Sequence, residues 1–240
     1  MTQTIIDKND YLTINKEGLD FVNIAITTTN MDAKNLDDIN RVFKDIFTLK
    51  NLSKNKQIHS NIVNKVDSEN IGQIIDGDAI ITNEKNVPLL ILTADCVPVV
   101  LVDTENKAVG LAHAGWRGTY GKICAETLQN MKESYNTKPE NVVAIIGPSI
   151  GSCCYEVSYD LIEKFSALLP NADKKIYEIR DKKYYLDLWE VNTQILKEFG
   201  VLKSNIINMN ICTSCNCDRF FSYRKHDKTP KRIGTFIEIK

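Results

Sequence analysis

The longest apolar stretch of the chain, residues 87–102, limits the folds that are open to it. Two prolines and Asp95 interrupt the stretch, and it is shorter than the roughly 20 residues that a membrane-spanning helix needs. It divides instead into two short β-rich runs, 89–93 and 97–102, on either side of an Asp-Cys turn. We therefore predict two buried strands joined by a turn that carries polar, reactive side chains.

Similar β-rich runs recur along the chain and outnumber the helical patterns. The other predicted strands are 21–28, 58–66, 78–82, 109–113, 142–146, 206–211 and 233–239, with a hairpin over 177–188 around Asp181-Lys182-Lys183. The predicted helices are 36–47, 119–135, 158–169 and 188–199, the last followed by Gly200 as its C-cap. Because strands and helices do not alternate strictly, the pattern predicts an α+β fold with mixed β-sheets covered by helices.

Composition places the chain among ordinary globular proteins. It has 240 residues, 30 Lys+Arg against 31 Asp+Glu, and no internal repeat or Pro/Gly/Ser-rich linker, so we predict a single domain over 1–240. The balanced charge gives no support for a nucleic acid or anionic membrane partner. Seven cysteines cannot all pair with one another, and the N-terminal segment lacks a signal-peptide pattern. The expected location is the cytoplasm, with reduced thiols.

Three segments place reactive side chains where packing does not require them. They are QIHS at 57–60, TADCVP at 93–98 and GLAHAGWRGT at 110–119. Gly115 and Gly118 allow backbone to approach a ligand closely, and Arg117 lies near a predicted helix N-terminus, where anions are favoured. The three segments are therefore candidates for one functional site.

His59, Cys96 and His113 together make a Cys-His₂ set. Catalytic zinc usually has three protein ligands and an open fourth position, and imidazole and thiolate both suit it. The sequence gaps are too long for a local zinc finger, so the fold must gather the three residues. The residues alone leave two other interpretations open: a histidine and cysteine of structural role, or Cys96 as a nucleophile with His113 as its base.

Four motifs extend this interpretation. They are TADCVPVVLVD at 93–103, GLAHAGWRGT at 110–119, GPSIGSCCYEV at 147–157 and FFSYRKH at 220–226. In this order they resemble the signatures of the YfiH/LACC1-type family, formerly labelled multicopper polyphenol oxidases, and the match runs from about 57 to 224. The resemblance implies an α/β/β/α layered domain with zinc held by His59, Cys96 and His113.

The resemblance also implies an activity. Members are zinc-dependent purine nucleoside phosphorylases that cleave adenosine, inosine and methylthioadenosine with phosphate to the free base and (methylthio)ribose 1-phosphate, with adenosine deaminase side activity. The implied partners are these nucleosides and phosphate, while the oligomeric state stays open. Cu²⁺ also fits the donor set in vitro, but a multicopper cluster needs more histidines than the three present. The H-x-E and P-C-x-x-C signature of zinc nucleobase deaminases is absent.

Four further residues are assigned roles from the chemistry that this activity needs. Arg117 and Arg224 are predicted to hold the anion, and Tyr223 to contact the sugar or base. Asp95 is predicted to support a metal ligand or carry a proton. A surface role for the arginines, packing for Tyr223 and a turn-capping role for Asp95 are the structural alternatives.

Residues 26–32 depart from the family pattern, because they lack the arginine and two glycines that members usually carry upstream of the first motif. Two alternative functions stay open, of which the second rests on this difference. One is a metal-free Cys/His hydrolase acting on an amide, and the other is a nucleoside-binding or peptidoglycan-editing protein with weak turnover.

A second group of cysteines lies in Cys212-x-x-Cys215-x-Cys217. Structural zinc needs four ligands, which Cys153 and Cys154 or His226 would have to complete in space. Packing is the favoured interpretation of these thiols, with a redox-sensitive pair as the alternative for Cys153 and Cys154.

Overall fold

A computed structural model describes residues 3–172 and 175–240, in which β-strands dominate. In chain order the strands are β1 (Thr4–Asp7), β2 (Tyr11–Asn15), β3 (Val22–Thr27), β4 (Ser53–Lys54), β5 (Val63–Lys65), β6 (Ala79–Thr82), β7 (Leu89–Thr93), β8 (Val97–Asp103), β9 (Ala108–Ala114), β10 (Val142–Ile146), β11 (Glu156–Val157), β12 (Tyr177–Arg180), β13 (Lys183–Leu186), β14 (Ile206–Asn208) and β15 (Ile233–Ile239). The helices are α1 (Leu36–Phe43), α2 (Trp116–Tyr120), α3 (Ile123–Tyr135), α4 (Tyr159–Leu168) and α5 (Leu188–Phe199). Among the described residues, no helix combines the length and apolar character needed to cross a membrane.

The strands form two six-stranded mixed sheets and one small sheet. The first sheet has the order β1-β2-β3-β15-β7-β4, the second β14-β10-β8-β9-β6-β5, and the small one β11-β13-β12. Most neighbours are antiparallel, but β4 with β7, β5 with β6 and β14 with β10 are parallel. The two buried strands predicted on either side of the Asp-Cys turn are β7 and β8, and they lie in different sheets.

Alternation along the strands divides the apolar residues between three layers of core. Ile26, Ile91 and Val100 are among the residues that fill the space between the two large sheets. The opposite face of the second sheet packs on α3, α4 and α5, while the opposite face of the first sheet packs on α1 through Phe43. The order of layers is therefore α/β/β/α, and the predicted α+β fold of mixed sheets covered by helices is confirmed.

The helix termini follow the local sequence. Asn35 caps α1 by accepting hydrogen bonds from the backbone N–H groups of Asp37 and Asp38. Asp187 caps α5, which ends at Gly200 with a φ of 113°, as predicted for a C-cap.

Several predicted boundaries were wrong for identifiable reasons. The predicted helix 119–135 is two helices, because Lys122 adopts a left-handed φ of 55° between α2 and α3. The predicted helix 36–47 stops at Phe43, although Phe47 still packs in the same core. The predicted strand 206–211 ends at Asn208, before Asn210 with a φ of 55°. The hairpin over 177–188 is confirmed as β12 and β13.

Candidate functional site

Cys96 and His113 lie together at one end of the β8–β9 hairpin. The antiparallel register places Pro98 of β8 opposite His113 of β9, so Cys96, just before β8, comes next to the same end. His113 follows Val109 and Leu111 on the face of β9 that points toward the first sheet, and its side chain is buried. Period-two alternation therefore directs a histidine into the gap between the sheets.

His59 reaches this point from a loop and not from the predicted strand 58–66, of which only β5 is a strand. The Gln57 side chain anchors the loop to β7 by donating to Leu92 O and accepting from Leu92 N, both at 2.8 Å. His59 has a φ of 62°, which is uncommon for a residue with a side chain. Its ring centroid lies 4.9 Å from that of His113.

The structure thus brings together the three residues predicted to bind a metal. One donor atom from each of His59, Cys96 and His113 lies within 4.8 Å of the others. His59 is exposed and Cys96 partly buried, so the set opens toward solvent on one side. Two imidazoles and one thiolate are suitable ligands for zinc or copper, and the fit to a metal is therefore good.

Asp78, which the sequence analysis did not single out, supports this set. Its carboxylate lies 2.8 Å from His113 Nδ1 and accepts hydrogen bonds from the backbone N–H of His59 at 3.0 Å and of Ser60 at 2.6 Å. The Ser60 hydroxyl donates to it as well, at 2.7 Å. Asp78 therefore holds the His113 ring and the His59 loop together. Support of a metal ligand is the role that was predicted for Asp95.

The charges of this group depend on one another. Burial alone raises the pKa of Asp78, but hydrogen bonds from His113 and Ser60 hold it well below its ordinary value. Burial opposes a charge on His113, but Asp78 and Cys96 raise its pKa to about 9. Burial likewise opposes a Cys96 thiolate, but His113 and His59 lower the pKa of the thiol to about 6. The arrangement favours a thiolate beside the two histidines.

Gly115 leaves room for the metal ligands Cys96 and His59, whereas the prediction was a close approach of backbone to a ligand. A Cβ at this position would lie 3.1 Å from Cys96 Sγ and 3.3 Å from the His59 ring. We expect Gly115→Ala to weaken zinc binding by about tenfold or more, because the crowded ligands must move apart. Competition with a chelating dye measures this change. Gly121→Ala, which crowds the Asn61 side chain at 3.2 Å, is the matched control, and equal zinc affinities in the two variants would contradict the expectation.

The metal set lines an open cleft of about 860 Å³. Lys34, Lys54, Lys56, Arg224 and Arg232 also line it, whereas Asp95 is the one acidic residue among the described lining residues. Apolar and aromatic side chains share the walls; they are Ile74, Leu92, Ala94, Ile150, Tyr155 and Tyr223. The cleft is therefore basic in a chain whose net charge is −1.

Three of the four further predicted site residues line this cleft: Asp95, Tyr223 and Arg224. Asp95 has a φ of 85°, and its carboxylate accepts from Thr213 Oγ1 and Arg224 N, both at 2.7 Å. Arg117 is not among the lining residues; its exposed guanidinium lies over the Trp116 ring at 4.5 Å from the centroid.

The divergent segment 26–32 leads directly into the cleft. Ala33 N donates to Arg232 O at 3.0 Å, and Arg232 N donates to the Asp32 carboxylate at 3.0 Å. These bonds bring Lys34 and Arg232 to the wall. The segment lacks the arginine of the family pattern, yet cations from neighbouring positions reach the cleft. Nothing in the sequence around either residue distinguishes it from a surface cation.

Comparisons with known proteins agree with this fold and site. Residues 13–240 match the family described as multi-copper polyphenol oxidoreductase laccase. A purine nucleoside phosphorylase of Clostridium acetobutylicum is 33% identical over 230 residues, which cover 95% of this chain and 90% of that protein. Purine nucleoside phosphorylase YlmD of Bacillus subtilis is 35% identical over 192 residues, 77% of this chain and 69% of that protein.

Solved structures show the same fold. The hypothetical protein YfiH of Bacillus licheniformis superposes with a TM-score of 0.90 and 29% identity, covering 98% of both chains. YlmD from Geobacillus stearothermophilus gives a TM-score of 0.90 with 28% identity and the same coverage. The resemblance to YfiH/LACC1-type proteins is thereby confirmed, and the chain belongs to the multi-copper polyphenol oxidoreductase laccase family.

Proposed function

We propose that the chain is a zinc-dependent purine nucleoside phosphorylase that cleaves adenosine, inosine and methylthioadenosine with phosphate, and deaminates adenosine as a side activity. The observation that carries this proposal is the basic cleft, in which the Cys-His₂ set, five cations and two tyrosines share one space. The names of its relatives as purine nucleoside phosphorylases support the same reaction.

The size and walls of the cleft suit a nucleoside together with phosphate. Its volume of about 860 Å³ falls within the range of roughly 300–1,000 Å³ typical of small-molecule sites. Tyr155 and Tyr223 offer aromatic faces to a purine base, and Ile74 and Ile150 offer apolar contact. A planar base with a polar sugar is the ligand that such walls favour.

The cations suit the second substrate. Lys54 and Lys56 come from the segment that begins at β4, Arg224 from the loop after β14, and Arg232 directly precedes β15. Lys56 already pairs with Asp76 at 3.5 Å, but gathering the other cations around one cleft is costly unless an anion neutralises them, because like charges repel. Phosphate beside the anomeric carbon of the nucleoside would meet this need.

Zinc held by His59, Cys96 and His113 would supply a Lewis acid for an oxygen of a substrate and, for deamination, a water of lowered pKa. The chain's own residues have the remaining tasks. Asp78 keeps the Nδ1 of His113 engaged, which leaves Nε2 for the metal side of the ring. Asp95, oriented by Thr213 and Arg224, is the proposed proton carrier for the departing base.

Phosphate dependence is the first test of this proposal. We expect purified, zinc-loaded protein to convert adenosine and phosphate to adenine and ribose 1-phosphate, and base release to stop when phosphate is omitted. Chromatography of base and sugar phosphate measures both products, while ammonia release without phosphate reports the deaminase activity. If adenosine, inosine and methylthioadenosine all stay intact, the proposal fails for this chain.

A metal-free cysteine hydrolase is the second candidate, because Cys96 has a lowered pKa of about 6 beside His113. The two functions differ in the exposure of this thiol to alkylating agents. A zinc-bound Cys96 is protected until a chelator removes the metal, whereas a free nucleophile reacts equally with and without chelator. Peptide mapping of the alkylated protein distinguishes them.

A further inference from the structure

Two pairs of cysteines that are distant from each other in sequence lie together beside the cleft. Cys153 and Cys154 lie in the loop after β10, and Cys212 and Cys215 lie in the loop after β14. Their four Sγ atoms all lie within 4.8 Å of one another, and Cys215 Sγ is 3.4 Å from both Cys153 Sγ and Cys154 Sγ. His226, the other partner considered from the sequence, instead accepts a hydrogen bond from Ser222 N at 3.1 Å.

Packing does not explain this arrangement. Cys153 and Cys215 are exposed and Cys154 is partly buried, so Cys212 is the one member of the four with a buried side chain. Thiols gain from burial in apolar surroundings, and exposed thiols gain little from contact with one another. The preference for packing that the sequence suggested is therefore wrong for Cys153 and Cys215.

The spacing of the sulfur atoms suits a tetrahedral metal. With zinc–sulfur bonds of about 2.3 Å, the sulfur atoms of a tetrahedral site are separated by about 3.8 Å. The observed separations of 3.4 Å and of up to 4.8 Å bracket this value. A disulfide joins two sulfur atoms by a bond of about 2.05 Å. It would account for two of the four thiols and leave the other two without a role.

The backbone around the four sulfur atoms is well fixed. Ser149 and Cys212 pair as an isolated parallel bridge, in which Thr213 N donates to Ser149 O at 3.0 Å. Gly151 N donates to Cys212 Sγ at 3.3 Å, a contact that stabilises a thiolate. Cys154 N closes a turn onto Gly151 O at 2.9 Å. Backbone contacts thus fix the two loops that carry the four sulfur atoms.

We propose that Cys153, Cys154, Cys212 and Cys215 form a second metal site of the chain, a tetrathiolate site that binds Zn²⁺. The site, called here the four-cysteine site, joins the loop after β10 to the loop after β14. These loops deliver Tyr155 and Arg224 to the cleft, and Thr213, inside the Cys212–Cys215 turn, holds the Asp95 carboxylate. Zinc at the four-cysteine site therefore fixes one wall of the cleft without touching the substrate.

Metal counting tests this proposal independently of any activity. After loading with Zn²⁺ and gel filtration, elemental analysis is expected to find about two zinc ions per chain in the natural protein. Cys153→Ser/Cys215→Ser is expected to lose one of them, as is His59→Ala through the other site. Cys217→Ser is the matched control, because Cys217 belongs to the same cysteine-rich segment but not to the group of four, and it keeps the full count.

A cobalt spectrum keeps the test decisive if the double variant folds poorly. In the His59→Ala protein, whose four cysteines are intact, Co²⁺ alone is expected to give the intense thiolate-to-metal absorption and visible bands of a tetrahedral tetrathiolate site. Absence of these bands would overturn the proposal. The same holds if Cys153→Ser/Cys215→Ser retains all the zinc of the natural protein, or if mapping of the freshly reduced, zinc-loaded protein finds a disulfide within the four.

Discussion

Replacing Asp78 with alanine is expected to weaken zinc binding at His59, Cys96 and His113 by roughly 10–100-fold. The variant removes the acceptor that fixes His113 Nδ1 and the backbone of the His59 loop. It is also expected to lower the free energy of unfolding by about 3–5 kcal/mol, because the buried His113 and the backbone N–H groups of the His59 loop lose a charged partner. Phosphorolysis should fall with zinc occupancy.

Asp103→Ala is the control that separates these two effects. Asp103 is also fully buried and accepts hydrogen bonds from the backbone N–H of Glu105 and Asn106, both at 3.0 Å, but it does not line the cleft. Its replacement should destabilise the protein and leave zinc affinity unchanged. Thermal unfolding and chelator competition on both variants measure the two quantities. If the two aspartate variants bind zinc equally well, Asp78 does not support the metal site.

The strands and helices that were predicted correctly are recognisable from their own residues. β8 and β10 are buried on both sides and appear as nearly continuous apolar runs, while α5 combines an apolar face with two capping residues. β1 was missed because its residues are mostly exposed and its pairing with β2 is the feature that defines it. A strand of this kind is specified by its neighbour more than by its own side chains.

The residues of the site also divide into those that the sequence predicts and those that it does not. His59, Cys96 and His113 stand in motifs that resemble those of a family, so the sequence alone indicates them as metal ligands. Asp78 lies in no such motif and acts by accepting hydrogen bonds from a loop some twenty residues earlier in the chain, which no local pattern encodes. Lys34 and Arg232 become site residues only when β15 pairs between β3 and β7 and brings both residues to the cleft.

Arg224 and Arg117 were both predicted from the sequence to hold the anion, and the structure gives them different surroundings. Arg224 lines the cleft, with its guanidinium 5.5 Å from the Tyr155 ring centroid and its backbone N–H bonded to Asp95. Arg117 is exposed, is not among the residues that line the cleft, and lies over the Trp116 ring. The two positions therefore provide a direct comparison of a cation inside the cleft with one beside it.

Arg224→Ala is expected to lower kcat/KM for phosphate by roughly 10–100-fold, because a hydrogen bond between charged groups contributes about 1.5–3 kcal/mol. The backbone bond from residue 224 to Asp95 survives the substitution, so the loss should appear mainly in the KM for phosphate and leave zinc content unchanged. Arg117→Ala should change kcat/KM for phosphate several-fold less. Initial rates over a range of phosphate concentrations measure both variants at fixed ionic strength, since added salt screens the remaining cations. An equal or larger loss in Arg117→Ala would show that the cations of the cleft do not hold the phosphate that reacts.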